Sequence, residues 1–180
     1  LYDYKCDQDW IVVDYLVDKK YKILDKSRYQ ICDYKRPTTL LPITDNHVRW
    51  EFKINPEDNV DKLETEESIR SFMSPHMWRL NPDIDLNSGE LIRSSKYTFH
   101  GLLADNFKVN NCFLIGDAAH QTPPFLGQGL CQGIKDAYNL SWKLAGVKEG
   151  IYNKKILNSF DTERREVNEF MIKTAIKQGD

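Results

Sequence analysis

The chain has 180 residues, 41% of them hydrophobic and 29% charged, and its 25 basic and 27 acidic side chains leave a formal charge of −2. That balance offers a polyanion no cationic surface, so nucleic acid is excluded as a partner, and the length suits one good core or two partial ones. No apolar run approaches the roughly 18 residues that a bilayer crossing needs, and no cleavable leader pattern is seen, so a cytoplasmic protein with no membrane contact is expected.

The first strand signal is Trp10–Val17, read WIVVDYLV, whose β-branched and aromatic residues with Asp14 as the single charge predict a strand covered on both faces. Two further strands are predicted at Gln30–Tyr34 and Thr38–Ile43, separated by Lys35-Arg36-Pro37. After the turn cluster Thr44-Asp45-Asn46, the apolar Val48, Trp50, Phe52 and Ile54 alternate with His47, Arg49, Glu51 and Lys53. That alternation predicts a hairpin with one apolar face, and hence an antiparallel sheet.

Asn55–Asn59 reads as a polar loop, and Val60–Met73 as a weak, largely solvated helix stopped by Pro75. Met77-Trp78 and Ile84–Leu86 read as a short insertion and a connecting edge, before a long strand over Glu90–Phe99. A boundary is expected near His100-Gly101.

The densest pattern follows at Cys112–Gly146. Cys112-Phe113-Leu114-Ile115 predicts a short buried strand, after which Gly116 frees the backbone and Asp117 stands at the strand's carboxyl end. Ligands of open α/β sheets bind at such ends, and a carboxylate there can accept hydrogen bonds from sugar-alcohol hydroxyls. Pro123-Pro124 stiffens the next segment, while Gly127 and Gly129 imply that something approaches the backbone closely.

From Leu130 the spacing of Leu130, Ile134, Ala137, Ser141, Leu144 and Ala145 predicts a helix, along which Gly133, Ala137, Ser141 and Ala145 form a stripe of small side chains. Its first turn carries no acid before Asp136, so its free N–H groups remain available to an acceptor or anion. After Gly150 an amphipathic helix is predicted from Ile156, Leu157, Phe160, Val167, Phe170, Met171 and Thr174, with Glu163-Arg164-Arg165-Glu166 on or near its wet side.

Cys6, Cys32, Cys112 and Cys131 form no metal spacing, so reduced, partly buried thiols and no metal are expected. The four histidines show no paired spacing and default to structural roles. His120 stands apart from the others by lying three residues from Asp117.

The string GDAAH, then PP, GQG and DAYNLSWKLAG, closely resembles the second flavin-binding motif of the single-component FAD-dependent aromatic hydroxylases, most of all those of the 3-(3-hydroxyphenyl)propionate hydroxylase type. DWIVVDYLV, RPTTLLP, VRWEF, KYTFHGLLADNF and FDTERRE stand in the order that family shows, so the likeness covers nearly the whole chain. It implies an α/β (α+β) fold: residues 1–100 would be an antiparallel-sheet substrate domain, and 101–180 the C-terminal part of a Rossmann-like FAD domain. It also implies that Gly116 and Asp117 hold the ribityl chain, and that the backbone of Gly127, Gln128, Gly129, Leu130 and Cys131 faces the pyrimidine edge of the flavin. Pro123 and Pro124 would form a wall between flavin and substrate.

An arylpropionate carboxylate needs a cation, for which Arg36 and Arg49 are the candidates. Many of the family carry Asn where this chain has Cys131, and Cys is the poorer helix cap. The activity implied is hydroxylation of a phenolic ring with O₂ and NAD(P)H, and a homo-oligomer stays open. Because the chain starts at Leu1 and enters a strand pattern almost at once, it reads as a fragment lacking an N-terminal GxGxxG part. The alternatives are a non-catalytic remnant that acts only by binding, and a related flavin monooxygenase with a non-aromatic substrate.

Overall fold

A computed structural model describes residues 1–58, 63 and 65–179. In chain order the strands are β1 (Tyr2–Asp3), β2 (Gln8–Leu16), β3 (Tyr29–Ile31), β4 (Thr38–Pro42), β5 (His47–Lys53), β6 (Glu90–Phe99), β7 (Leu102–Leu103), β8 (Lys108–Val109), β9 (Cys112–Phe113) and β10 (His120–Gln121). The helices are α1 (Glu66–Met73), α2 (Gly129–Lys148) and α3 (Ser159–Gly179), joined by short 3₁₀ turns. The chain divides into two compact units, residues 8–98 and residues 1–7 with 99–180. The expected 1–100 domain therefore differs at its start, because Tyr2 and Asp3 pair with Leu103 and Leu102.

Residues 8–98 form a five-stranded sheet in the order β3-β4-β5-β2-β6. Alternation along β2 and β5 places Ile11, Val13 and Tyr15 beside Val48, Trp50 and Phe52, and the register sets Val13 opposite Trp50. These side chains are at most 1% exposed, and Trp50 stacks on Phe52 with centroids 5.8 Å apart. α1 covers that face with Ile69 and Met73. It starts where the Thr65 hydroxyl accepts from the Ser68 amide, with Glu66 and Glu67 favourably placed in its first turn.

The helix predicted over Val60–Met73 is described from Glu66; residues 59–62 and 64 of that stretch and its preceding loop lie outside the described residues. Pro75 ends the α-form, but the chain continues as a 3₁₀ turn, Ser74–Arg79. What reads as an insertion and an edge contributes to the core, since Met77 and Ile84, with Leu80 between them, join the sheet's buried cluster, while Trp78 stays exposed. Short-range periodicity missed this because a 3₁₀ turn repeats every three residues and a loop has no period.

In the other unit β7 lies between β1 and β10, and β8 pairs with β9 through a tight turn in which Asn110 has φ +55°. Leu103, Phe107, Ala119, Leu140, Phe160 and Ile172 make a small apolar core. The expected buried strand Cys112–Ile115 is here a two-residue strand, with Cys112, Leu114 and Ile115 exposed. Three of the four thiols, those of Cys32, Cys112 and Cys131, are likewise exposed rather than partly buried. Among the described residues, no helix is long and apolar enough to cross a membrane.

Candidate functional site

Gly116 opens a 3₁₀ turn, Gly116–Ala118, with φ +55°, a conformation that glycine adopts without the Cβ clash. A Cβ placed on Gly133 of α2 would lie 3.3 Å from the Gly116 Cα, so two glycines let the turn and the helix touch backbone to backbone. Of the predicted stripe of small residues only Gly133 serves this approach; Ala137, Ser141 and Ala145 are exposed.

The turn presents Asp117 to the outside, where its carboxylate meets no hydrogen-bond donor among the described residues. Asp117 thus stands on a turn four residues beyond β9 rather than at the end of a buried strand. Its acceptor capacity is unspent.

Pro123 is buried and extended, and Pro124 opens a second 3₁₀ turn that closes through the Gly127 amide on the Pro124 carbonyl at 2.8 Å. Gly127 takes φ +60°, which supplies the sharp exit into α2. Apart from its chain neighbours and the backbone of its own helix, no atom of the described residues lies within 4 Å of a Cβ built on Gly127 or Gly129. For Gly127 the positive φ accounts for the glycine. For Gly129, at the first position of α2, nothing among the described residues demands the missing side chain.

Gln128 caps α2 without a side-chain hydrogen bond, and the first intrahelical amide is that of Gln132, bonded to the Gln128 carbonyl at 2.9 Å. The N–H groups of Gly129, Leu130 and Cys131 therefore point out of the helix start, with no acid in the first turn. Leu130 and Cys131 are exposed. The cap argument for Cys131 is corrected by this geometry: Cys131 is the third helical residue, so Asn in its place would not be an N-cap.

Sequence reasoning missed what lies directly beneath. Asp136, 0% exposed, accepts from the Gly116 amide at 3.0 Å, His120 Nε2 at 2.7 Å, Arg164 Nε at 2.7 Å and Asn168 Nδ2 at 3.2 Å. Arg164 also donates to Gln132 Oε1 at 2.9 Å. Burial by itself raises the Asp136 carboxyl, but hydrogen bonds from His120, Arg164 and Gly116 outweigh it and hold the group down at about 2. Two turns further on, Lys143 Nζ donates to Ser159 Oγ at 2.8 Å and Glu163 Oε2 at 2.7 Å, and Asn139 joins the same carboxylate. Hydrogen bonds from Asn139, Lys143 and Ser159 hold Glu163 down at about 2.

Arg164, expected on the wet side of α3, is in fact interior, while Val167 and Phe170, expected inside, are exposed. The signal was present as an i, i+4 stripe of Arg164, Asn168 and Ile172, but two of its three members are polar.

The two arginines proposed for a substrate carboxylate are already engaged. Arg36 forks onto Asp58 at 2.8 Å through both terminal nitrogens, donates to the Lys53 carbonyl and lies over the Phe72 ring. Both of its terminal nitrogens are committed, which removes it as an open fork. Arg49 forks onto buried Asp14 at 3.0 and 2.9 Å through Nε and Nη2, with His47 Nε2 on the same carboxylate. Its Nη1 has no partner among the described residues.

A family model described as an FAD binding domain matches residues 7–175. The chain belongs to that family. Its curated relatives include the 3-(3-hydroxy-phenyl)propionate/3-hydroxycinnamic acid hydroxylases of Burkholderia cenocepacia and Klebsiella pneumoniae, each 35% identical, over 92% and 94% of this chain respectively. The chain spans about 29% of the length of either. Among solved structures, aklavinone-11 hydroxylase with FAD and aklavinone has a TM-score of 0.80 at 21% identity, covering 97% of this chain and 33% of that one. PieE with FAD and substrate has a TM-score of 0.73 at 20% identity, covering 94% and 30%. These two likenesses establish the fold. The mixed α+β class expected from sequence is the class of this FAD-binding-family chain.

Proposed function

We propose that the chain supplies the ribityl and ring-edge part of an FAD site in a monooxygenase that hydroxylates a phenolic ring, with O₂ and NAD(P)H as co-substrates. The observation that carries this reading is the exposed, unpaired carboxylate of Asp117 on a turn packed against the start of α2, whose first amides are also unspent. FAD fits these residues: a sugar-alcohol chain needs an acceptor, a flavin ring edge needs N–H donors, and the open space at Gly129 lets a planar group lie against the backbone.

Bound FAD would supply electron transfer and oxygen activation. Asp117 accepts from the ribityl hydroxyls, and the amides of Gly129, Leu130 and Cys131, with the positive end of α2, stabilise negative charge at the ring edge. Gly127 and Gln128 shape the approach, and Pro123-Pro124 stiffens its flank. The relatives' names point to a small arylpropionate-type substrate. The resemblance read from the sequence would put the substrate side in residues 8–98, with Nη1 of Arg49 as the candidate donor to a substrate carboxylate.

A second reading, in which residues 1–180 bind flavin and perform no turnover by themselves, rests on the same contacts. Calorimetric titration of the 180-residue chain with riboflavin and with FAD tests the shared part of both readings. Similar, weak affinities are expected, since the proposed contacts reach only the ribityl and ring portions common to both ligands. No heat with either ligand would refute the site, and FAD binding far tighter than riboflavin would refute the assignment to the ribityl end. NADH or NADPH oxidation stimulated by 3-(3-hydroxyphenyl)propionate then separates turnover from binding alone.

A further inference from the structure

We propose that Asp136 is a positioning residue for Asp117: its buried carboxylate, neutralised by Arg164, holds the Gly116 amide and so fixes the direction of the ligand-facing turn before any ligand arrives. The inference rests on the reading of Asp117 given above. Four donors converge on Asp136, which is as many as a carboxylate has well-directed lone pairs. Three come from side chains, and the fourth is the main-chain N–H of Gly116, the residue immediately before Asp117. With φ +55° at Gly116 and the Gly133 backbone against it, this bond leaves the turn little freedom.

The arrangement is a costly way to make a core. A buried ion pair is often matched or bettered in stability by apolar residues of the same volume. Here the interior also leaves His120 Nδ1 and Asn168 Oδ1 buried without a hydrogen-bond partner, because both side chains turn their donor toward Asp136. Arg164 is oriented in turn by Gln132 Oε1, and β10 fixes His120 by pairing it with Leu103. What the cluster delivers in return is a single main-chain hydrogen bond at the base of an exposed carboxylate. Asp136 touches no ligand in this scheme; it acts through the turn.

The test combines amide exchange with a double-mutant cycle on the full 180-residue chain. In Asp136→Asn the Gly116 amide should gain at least tenfold more in exchange rate than the Leu140 and Ile172 amides gain from the general loss of stability. Riboflavin affinity should fall with it, and Asp117→Ala should then add much less than it does in the wild-type background. A merely structural Asp136 predicts additive losses in affinity and a gain in exchange at Gly116 no greater than that at Leu140 and Ile172. Either result overturns the proposal.

Should Asp136→Asn fail to fold, the wild-type chain answers by NMR. A scalar coupling across the hydrogen bond from Gly116 ¹⁵N to the Asp136 carboxyl ¹³C is expected, and its absence overturns the proposal. If the coupling and the exchange effect are present while wild-type chain binds neither riboflavin nor FAD, the flavin reading fails and the hold of Asp136 on the Asp117 turn stands.

Discussion

In residues 8–98 the side chains packed between sheet and helix include Ile11, Val13, Tyr15, Trp50, Phe52 and Met73; on α2 and α3 the buried side chains include Gln132, Asp136, Lys143, Arg164 and Asn168 beside Leu140, Phe160 and Ile172. The first interior gains from removing apolar surface from water, which is non-directional and tolerates small shifts. The second is a set of directed hydrogen bonds that hold only in one geometry. The unit that carries the exposed Asp117 is the one that adds this set of directed bonds to a small apolar core. An interior of that kind suits a site whose backbone must be held to a fraction of an ångström.

The contrast is broken most severely by substitutions at its two centres. Trp50→Ala removes a fully buried ring stacked on Phe52 and should cost roughly 3–5 kcal/mol in urea unfolding of residues 8–98. Arg164→Met should cost a similar amount, about 3–5 kcal/mol, because it strands the Asp136 charge inside. Here the two interiors part: adding Asp136→Leu to Arg164→Met should recover part of that loss by removing the stranded charge, though it leaves the His120, Asn168 and Gly116 donors without their acceptor, whereas no second substitution near Trp50 refills its cavity so simply. If the double variant is no more stable than Arg164→Met alone, the ionic account of this interior is wrong.

Acid sharpens the same comparison. Asp136 is held at about 2 in the folded chain against an ordinary 3.8. Its stabilisation is therefore complete above about pH 4 and disappears as pH falls through about 2, a loss of roughly 2 kcal/mol. Glu163, also held at about 2, loses its contribution in the same direction, but its side chain is 45% exposed and its share is discounted for solvent screening. Hydrogen exchange at Leu140 and Ile172, followed from pH 5 downward, should show this unit loosening with that profile. A flat profile to pH 2 would contradict it.

The smallest effect is the most discriminating for the ligand. Gly129→Ala meets open space at a helical position, so it should stabilise the chain by about 0.4–1 kcal/mol. The same methyl should weaken riboflavin binding if the backbone there is a contact surface. A Tm rise with unchanged affinity would remove Gly129 from the site.

The strands of residues 8–98 were legible because one face of that sheet is apolar. Val48, Trp50 and Phe52 alternate with polar residues, and Glu90–Phe99 was bounded exactly. Periodicity reports hydrophobic burial and nothing else, so it failed where burial is polar. Arg164 and Asn168 read as surface, and exposed Val167 and Phe170 read as core. It failed again at Cys112–Ile115, where four apolar residues in a row carry no information about whether anything covers them. The turn at Gly116 was legible in the residues, since that glycine reads as freeing the backbone and takes a positive φ, whereas Gly127 reads as permitting a close approach and instead supplies the positive φ of the exit into α2. The Asp136 cluster was not, since its members are scattered from His120 to Asn168 and meet only in the folded chain.

The role of Asp117 is decided by measuring riboflavin affinity and Tm side by side for the wild-type chain and Asp117→Ala. An exposed carboxylate with no protein partner has water as its alternative, so Tm should stay within about a degree. Loss of charge-assisted bonds worth roughly 1.5–3 kcal/mol each should weaken riboflavin binding at least tenfold. A Tm lower by several degrees with affinity unchanged would show that Asp117 serves the fold, and would contradict the flavin site proposed for this chain.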